Sequence, residues 1–381
     1  MAGPCLCLGL FDAGRLRVLV SWPRARGHCR GRPAPAPPAL FRPGAGRAAS
    51  GRARRPADGP RRGARHPLRL RSKKVRPLTI ATSSHPFSGL SAFPVTPADQ
   101  DGRVDADALA RTVERLVEVK VDSIGLLGST GIYAYLSRTE RRRAVEAAAE
   151  CAKGRVPLIV GVGALRTDEA LDLARDAEAA GADALLMAPV SYTPLTQDEA
   201  FEHYRIVAAA SALPFCIYNN PGTTHFTFGI ELLERLSALP TIRAVKMPLP
   251  ASGDVAGELA LLRARTDMSV GYSGDWGTAD AMLAGADAFF SVLGGLLPRP
   301  VLALLRAGKA GDEREARRLD EELRPLWETF RAYGSLRVIY VLRDALGMEP
   351  AALPLPLRPL APEARDRVLR AAEPVLMSDT R

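Results

Sequence analysis

From about residue 88 onward, short apolar runs alternate with longer stretches in which apolar residues recur at helical spacing. The runs begin near Leu90, Ser123, Pro157, Ala184, Pro214, Ile242, Ser269 and Ala288, roughly 20–35 residues apart. Each interval holds one strand and one returning helix, which predicts a parallel α/β fold. Several runs are continuously apolar, as in Ile124-Gly-Leu-Leu127, Leu158-Ile-Val160 and Leu185-Leu-Met187, the pattern of strands covered on both faces. Eight such strands predict closure as a (β/α)8 TIM barrel. A doubly wound open sheet is the alternative; the strand count and the lack of a Gly-x-Gly-x-x-Gly after the first strand disfavour it.

The helical stretches carry their own start signals. Asp105 is placed to cap a segment whose Leu109, Val113, Leu116 and Val117 share one face, and Ser137-Arg-Thr-Glu140 and Thr196-Gln-Asp-Glu199 have the spacing of capping boxes. After the eighth run, further helices are expected at about 311–333, 335–346 and 362–375. The predicted organisation is a tail over 1–77, a barrel over 78–310 and a C-terminal helical extension over 311–381.

Charge separates the tail from the rest. Of 52 Lys and Arg, 19 fall in residues 1–76, which hold only Asp12 and Asp58 of the 42 acids. The remainder, with 33 basic against 40 acidic residues, is mildly acidic, so the global +10 describes the appendage and gives the barrel no footprint for nucleic acid. Rich in Arg, Pro, Ala and Gly, the tail lacks the apolar periodicity that would offset chain entropy and is expected to be disordered. It is either a solvated segment or the product of an upstream start codon; an organellar address or a nucleic-acid contact is the alternative. Scarce Ser and abundant Pro fit a transit peptide poorly, and Leu16–Val20 is too short for a secretory apolar core.

Three of five cysteines, Cys5, Cys7 and Cys29, lie in that tail, and Cys151 and Cys216 lie in the body. No metal-ligand spacing appears. This usage suggests reduced thiols in a cytoplasm, and no run is long enough for a transmembrane helix.

Candidate chemistry gathers where strands end. In a parallel barrel the loops after the strands form the catalytic rim. Tyr218 ends the run Pro214-Phe-Cys-Ile-Tyr218, and Lys246 ends Thr241-Ile-Arg-Ala-Val-Lys246. An ammonium is costly to bury, and a neutral amine attacks a ketone to give a Schiff base, so a lysine ending an apolar strand is a candidate nucleophile. After the second strand, Gly128-Ser129-Thr130-Gly131 places two hydroxyls in a tight turn able to hold a carboxylate, or only to satisfy its own backbone.

Gly128-Ser-Thr-Gly131, Tyr218-Asn-Asn-Pro221 and the strand ending Val245-Lys246, in this order, resemble the dihydrodipicolinate synthase/N-acetylneuraminate lyase family of class I aldolases. Ala92-Phe-Pro-Val-Thr-Pro97 and Ser273-Gly274-Asp275 look like that family too, and the resemblance covers roughly residues 88–360. It implies that Lys246 forms the imine, that Tyr218 relays protons to and from the substrate, and that Thr130 links the relay. It also implies that Ser129 with the backbone of Gly128 and Gly131 binds the carboxylate of a 2-oxo acid such as pyruvate, and that Phe290 lines the pocket with its carbonyl above Gly274. No cofactor beyond the covalent imine is implied, and a homodimer or homotetramer is the expected assembly.

Departures from the pattern bear on substrate choice. Thr223 stands where synthases of lysine biosynthesis place an arginine for the carboxylate of aspartate semialdehyde, and a hydroxyl does not replace a bidentate guanidinium. The tyrosine that a neighbouring subunit contributes to the relay falls at Ser191, with Tyr192 one step along as a substitute. Ile132 and Met247 stand where the family has Glu.

The expected function is therefore a cytoplasmic lyase or aldolase acting on a 2-oxo acid and an aldehyde. A 2-keto-3-deoxy sugar acid aldolase or dehydratase, or a cleavage like that of N-acetylneuraminate lyase, is the enzymatic alternative. A catalytically silent barrel with a basic binding tail is the alternative outside enzymes.

Overall fold

In the computed structural model, residues 85–378 are described, and the expected tail over 1–77 lies outside them. Eight strands form a closed, wholly parallel barrel in sequence order: β1 (Gly89–Ala92), β2 (Ser123–Leu126), β3 (Leu158–Gly161), β4 (Ala184–Met187), β5 (Phe215–Tyr218), β6 (Ile242–Pro248), β7 (Ser269–Ser273) and β8 (Ala288–Ser291). The β1–β8 pairing, with Gly89 opposite Ala288, closes it. Every strand therefore has two neighbours and no edge remains.

Side chains alternate between two cores because successive strand residues face opposite ways. Ala184, Leu186, Cys216, Tyr218, Ala244, Ala288 and Phe290 fill the barrel interior. Leu185, Met187, Ile217, Val245 and Phe289 point outward into the layer beneath the helices. Both faces are dry, which is why the runs read as unbroken apolar sequence. Burying each large side chain contributes about 1.5–3 kcal/mol, and no short strand would persist without that second layer.

The intervening helices are α1 (Ala106–Val119), α2 (Arg138–Ala152), α3 (Thr167–Ala180), α4 (Gln197–Ala208), the single turn α5 (Pro221–Thr224), α6 (Ile230–Ser237), α7 (Val255–Arg265), α8 (Thr278–Leu283) and α9 (Pro298–Lys309). In α1, Asp105 accepts from the Ala108 N–H, Leu109, Val113, Leu116 and Val117 are buried, and Lys120 in the left-handed region ends the helix. Thr196 and Glu199 form the expected capping box of α4. The second expected box is only half made. Ser137 caps α2, but the Glu140 carboxylate instead accepts the Val104 N–H at 2.7 Å, tying α2 to the loop before α1.

Beyond the barrel, α10 (Glu313–Tyr333), α11 (Ser335–Ala345) and α12 (Pro362–Ser378) pack on one another and, through α10, on α8 and α9. The segment after α11 returns to the rim, where the Ala352 N–H donates to Ala98 O at 2.9 Å. Among the described residues no helix is long and apolar enough to cross a membrane.

Candidate active site

Parity and register bring the two candidate groups together. Ala244 faces the barrel interior, so Lys246, two residues on, does too, and the β5–β6 ladder sets it opposite Tyr218. Lys246 is 5% exposed and Tyr218 7%. The Lys246 Nζ lies 3.6 Å from the centroid of the Tyr218 ring, 4.8 Å from that of Phe93 and 5.7 Å from that of Phe290. Aromatic faces offset part of the cost of removing an ammonium from water, by about 2 kcal/mol or more where the contact is desolvated. Phe93 and Phe290 meet edge to face at 5.9 Å and wall the amine on its other side.

The Tyr218 hydroxyl is held at both sides. It shares a hydrogen bond with Ser129 Oγ at 3.3 Å and accepts one from Asn220 Nδ2 at 3.1 Å. Burial alone would push this phenol up, but the Lys246 charge beside it, with hydrogen bonds from Lys246 and Ser129, outweighs burial and holds it below the usual tyrosine range. A phenol so placed exchanges protons more readily than a free one.

One sequence expectation changes here. The hydroxyl that reaches Tyr218 belongs to Ser129, where Thr130 had been expected; Thr130 is buried one residue further along. The turn is bracketed by Leu127 at φ 54° and Ile132 at φ 51°, both left-handed, and within it Ser129 is exposed while its hydroxyl reaches Tyr218. Gly128 is required for a different reason: a Cβ there would lie 2.6 Å from the Phe93 ring.

The remaining candidates divide. Phe290 brings its ring to the amine, and Gly274, at φ 103°, turns the chain out of β7 so that Asp275 is buried behind β8. Asp275 accepts from the Ser291 hydroxyl and from the N–H groups of Val292 (3.2 Å) and Leu293 (3.0 Å), fixing the rim next to Phe290. Burial pushes its carboxyl up. Thr223 is exposed on α5 and its hydroxyl turns back to Asn220 O at 3.4 Å. Tyr192 is 96% exposed, and the Ser191 hydroxyl donates to Thr193 O, so neither meets Tyr218 within this chain. Ile132 and Met247 are buried packing residues.

Sequence reasoning passed over three residues. Phe93 and Asn220 stood inside quoted motifs without a role. Tyr133 lies two residues past the Gly128–Gly131 turn and lines, with Arg141, Gly163 and Val190, a cavity of about 440 Å³ whose walls include neither Lys246 nor Tyr218. An aromatic so soon after a glycine turn was the available signal.

A parallel barrel with a buried lysine and tyrosine side by side on its C-terminal rim defines a lyase of the class I aldolase type. The chain belongs to the dihydrodipicolinate synthetase family, whose profile matches residues 86–374. It is 35% identical over 280 residues to the 4-hydroxy-tetrahydrodipicolinate synthase of Pseudomonas aeruginosa, across 73% of this chain and 94% of the relative. Among solved structures, a dihydrodipicolinate synthase from Agrobacterium tumefaciens is 58% identical, with a TM-score of 0.75 over 76% of this chain and 98% of that one. The chloride-inhibited synthase of Acinetobacter baumannii, solved with pyruvate, is 31% identical with a TM-score of 0.70, over 76% and 99%.

Proposed function

We propose that this enzyme joins pyruvate, or a related 2-oxo acid, to an aldehyde through an imine on Lys246, in the manner named for its 4-hydroxy-tetrahydrodipicolinate synthase relatives. The observation that carries this reading is the placement of the Lys246 amine 3.6 Å from the Tyr218 ring, in a buried aromatic pocket. Lys246 attacks the keto carbon, and water leaves as the imine forms. The protonated imine is an electron sink, so loss of a methyl proton gives an enamine whose carbon attacks the aldehyde. Tyr218, with Ser129 and Asn220 holding its hydroxyl, carries the protons. The imine supplies the electron sink that a metal or organic cofactor supplies elsewhere. Ser129, Thr130 and the backbone from Gly128 to Gly131 form the carboxylate pocket in this proposal. A cytoplasmic setting and a homodimer or homotetramer belong to it as well, on the strength of the family resemblance.

Borohydride trapping with pyruvate, read by intact mass, tests it. The wild-type chain is expected to gain the reduced pyruvate adduct and Lys246→Ala to gain none. An adduct of equal yield on Lys246→Ala would remove this lysine from the reaction.

A further inference from the structure

The segment after α11 forms a strap that is tied down where it meets the rim. Ala352 is held from two sides: its N–H donates to Ala98 O at 2.9 Å, and its carbonyl accepts from the Tyr340 hydroxyl at 3.2 Å. Further along, the Leu357 N–H closes a turn onto Pro354 O at 2.9 Å. Between this strap, α11 and the first turn of α12 lies a cavity of about 240 Å³. Its walls include neither Lys246 nor Tyr218, so it is separate from the pocket of the buried amine.

The lining is of two kinds. Val341, Leu353 and Leu360 give apolar walls, while Arg337 of α11, Arg358 of the strap and Arg365 of α12 bring three guanidinium groups from three separate elements. Only one carboxylate, Asp344, lines the cavity with them. Among the described residues none of the three arginines forms an ion pair. Other arginines of the surface do: Arg111 pairs with Glu349 at the start of the same strap, and Arg317 pairs with Asp280. Like charges around one concavity focus a positive potential into it and raise the local concentration of anions. The volume falls below the roughly 300–1,000 Å³ of sites for drug-sized ligands, which selects a small occupant. Apolar walls favour one with a hydrocarbon body over a bare ion.

We propose that this cavity is a binding site for a small carboxylate with an apolar body. The carboxylate takes Arg337, Arg358 and Arg365, whose planar forks match its two oxygens, and the body lies against Val341, Leu353 and Leu360. An occupant joins α11, the strap and α12, and because it binds only the folded chain it stabilises that chain as it saturates.

The test measures binding to the full chain by calorimetry, beside its melting temperature. Hexanoate and benzoate are the probes, hexylamine is the cation with a similar body, and inorganic phosphate is the anion without one. At least one of the two carboxylates is expected to saturate with a Kd of about 1 mM or tighter and to raise the melting temperature, with hexylamine and phosphate about ten-fold weaker or more. Arg358 and Arg365 are exposed, so the double change Arg358→Gln with Arg365→Gln should leave the ligand-free melting temperature nearly unchanged. It should weaken the carboxylate by about ten-fold or more, the scale of a lost hydrogen bond to a charged group, and each single change by a smaller factor. Failure of both carboxylates to saturate overturns the proposal. Equal affinity in the double variant, or displacement of the probe by pyruvate, also overturns it, since the carboxylate then sits elsewhere. Phosphate or hexylamine binding as tightly as the carboxylates does so too, because the site then reads charge alone or hydrocarbon alone.

Discussion

Tyr218 and Lys246 are register partners on adjacent strands, and the amine of one sits 3.6 Å from the ring centroid of the other. In a parallel ladder such a pair cannot drift: moving either by one residue would turn its side chain out of the barrel. The sheet therefore positions the Lys246–Tyr218 pair, and the β2 loop brings Ser129 to it.

Tyr218→Phe is expected to leave the pyruvate imine trappable while lowering turnover by roughly 10²–10⁴-fold, the usual contribution of a positioned acid/base group. Steady-state kinetics beside trapping yield decides it. Turnover near wild type would take Tyr218 out of proton transfer.

Gly128→Ala is expected to cost roughly 1–3 kcal/mol by overpacking, because the new Cβ would meet the Phe93 ring at 2.6 and 2.7 Å. Phe93 walls the Lys246 amine, so activity should fall as well. The pair Gly128→Ala with Phe93→Leu should be more stable than the sum of the two single changes, since they share one contact. Additive melting data would show that the ring is not what the glycine accommodates.

His203 gives a pH signature. It is buried on α4 with Nδ1 2.9 Å from Thr167 Oγ1 and Nε2 unpartnered, and burial holds its pKa below the ordinary 6.5. Below about pH 6.5 the unfolded chain takes up a proton that the folded chain refuses, so stability must fall as pH drops through that value, until the folded-state pKa is passed. Urea midpoints between about pH 7 and 5.5 should show this slope, and His203→Gln should flatten it. An unchanged slope in the variant would assign the effect elsewhere.

The starts of the strands were legible because the runs are almost wholly buried: β2, β4, β6, β7 and β8 begin where the pattern breaks, and β1, β3 and β5 one residue away. The same dryness hid the inward and outward faces. Leu185 and Leu186 look alike in sequence yet lie in different cores. The Tyr218–Lys246 pair was legible because two polar groups ending two apolar strands have one place to go. The choice between Ser129 and Thr130 was not, since adjacent hydroxyls in a turn are told apart only by its backbone angles. Glu140 was lost to Val104, 36 residues away, a partner that no local capping rule could name.

Substrate choice follows from a missing charge. A buried carboxylate without a cationic partner costs several kcal/mol, and α5 presents Thr223 where an arginine would serve. Arg243 does not fill the gap. It precedes inward-facing Ala244 by one residue, and the structure leaves it exposed on the outer side of β6. A polyhydroxylated aldehyde is expected instead, its hydroxyls exchanging for the bonds that Thr223 and Thr224 make to Asn220 O, at about 0.5–1.5 kcal/mol per hydrogen bond. With pyruvate as the common donor, kcat/KM for aspartate semialdehyde is expected to fall well below that for sugar-derived aldehydes. A value for the semialdehyde of roughly 10⁴ M⁻¹s⁻¹ or above, the range of true substrates, would refute this. It would place the needed cation elsewhere on the rim, and a second measurement on Thr223→Arg, expected to raise semialdehyde use if Thr223 is the limit, would then show no gain.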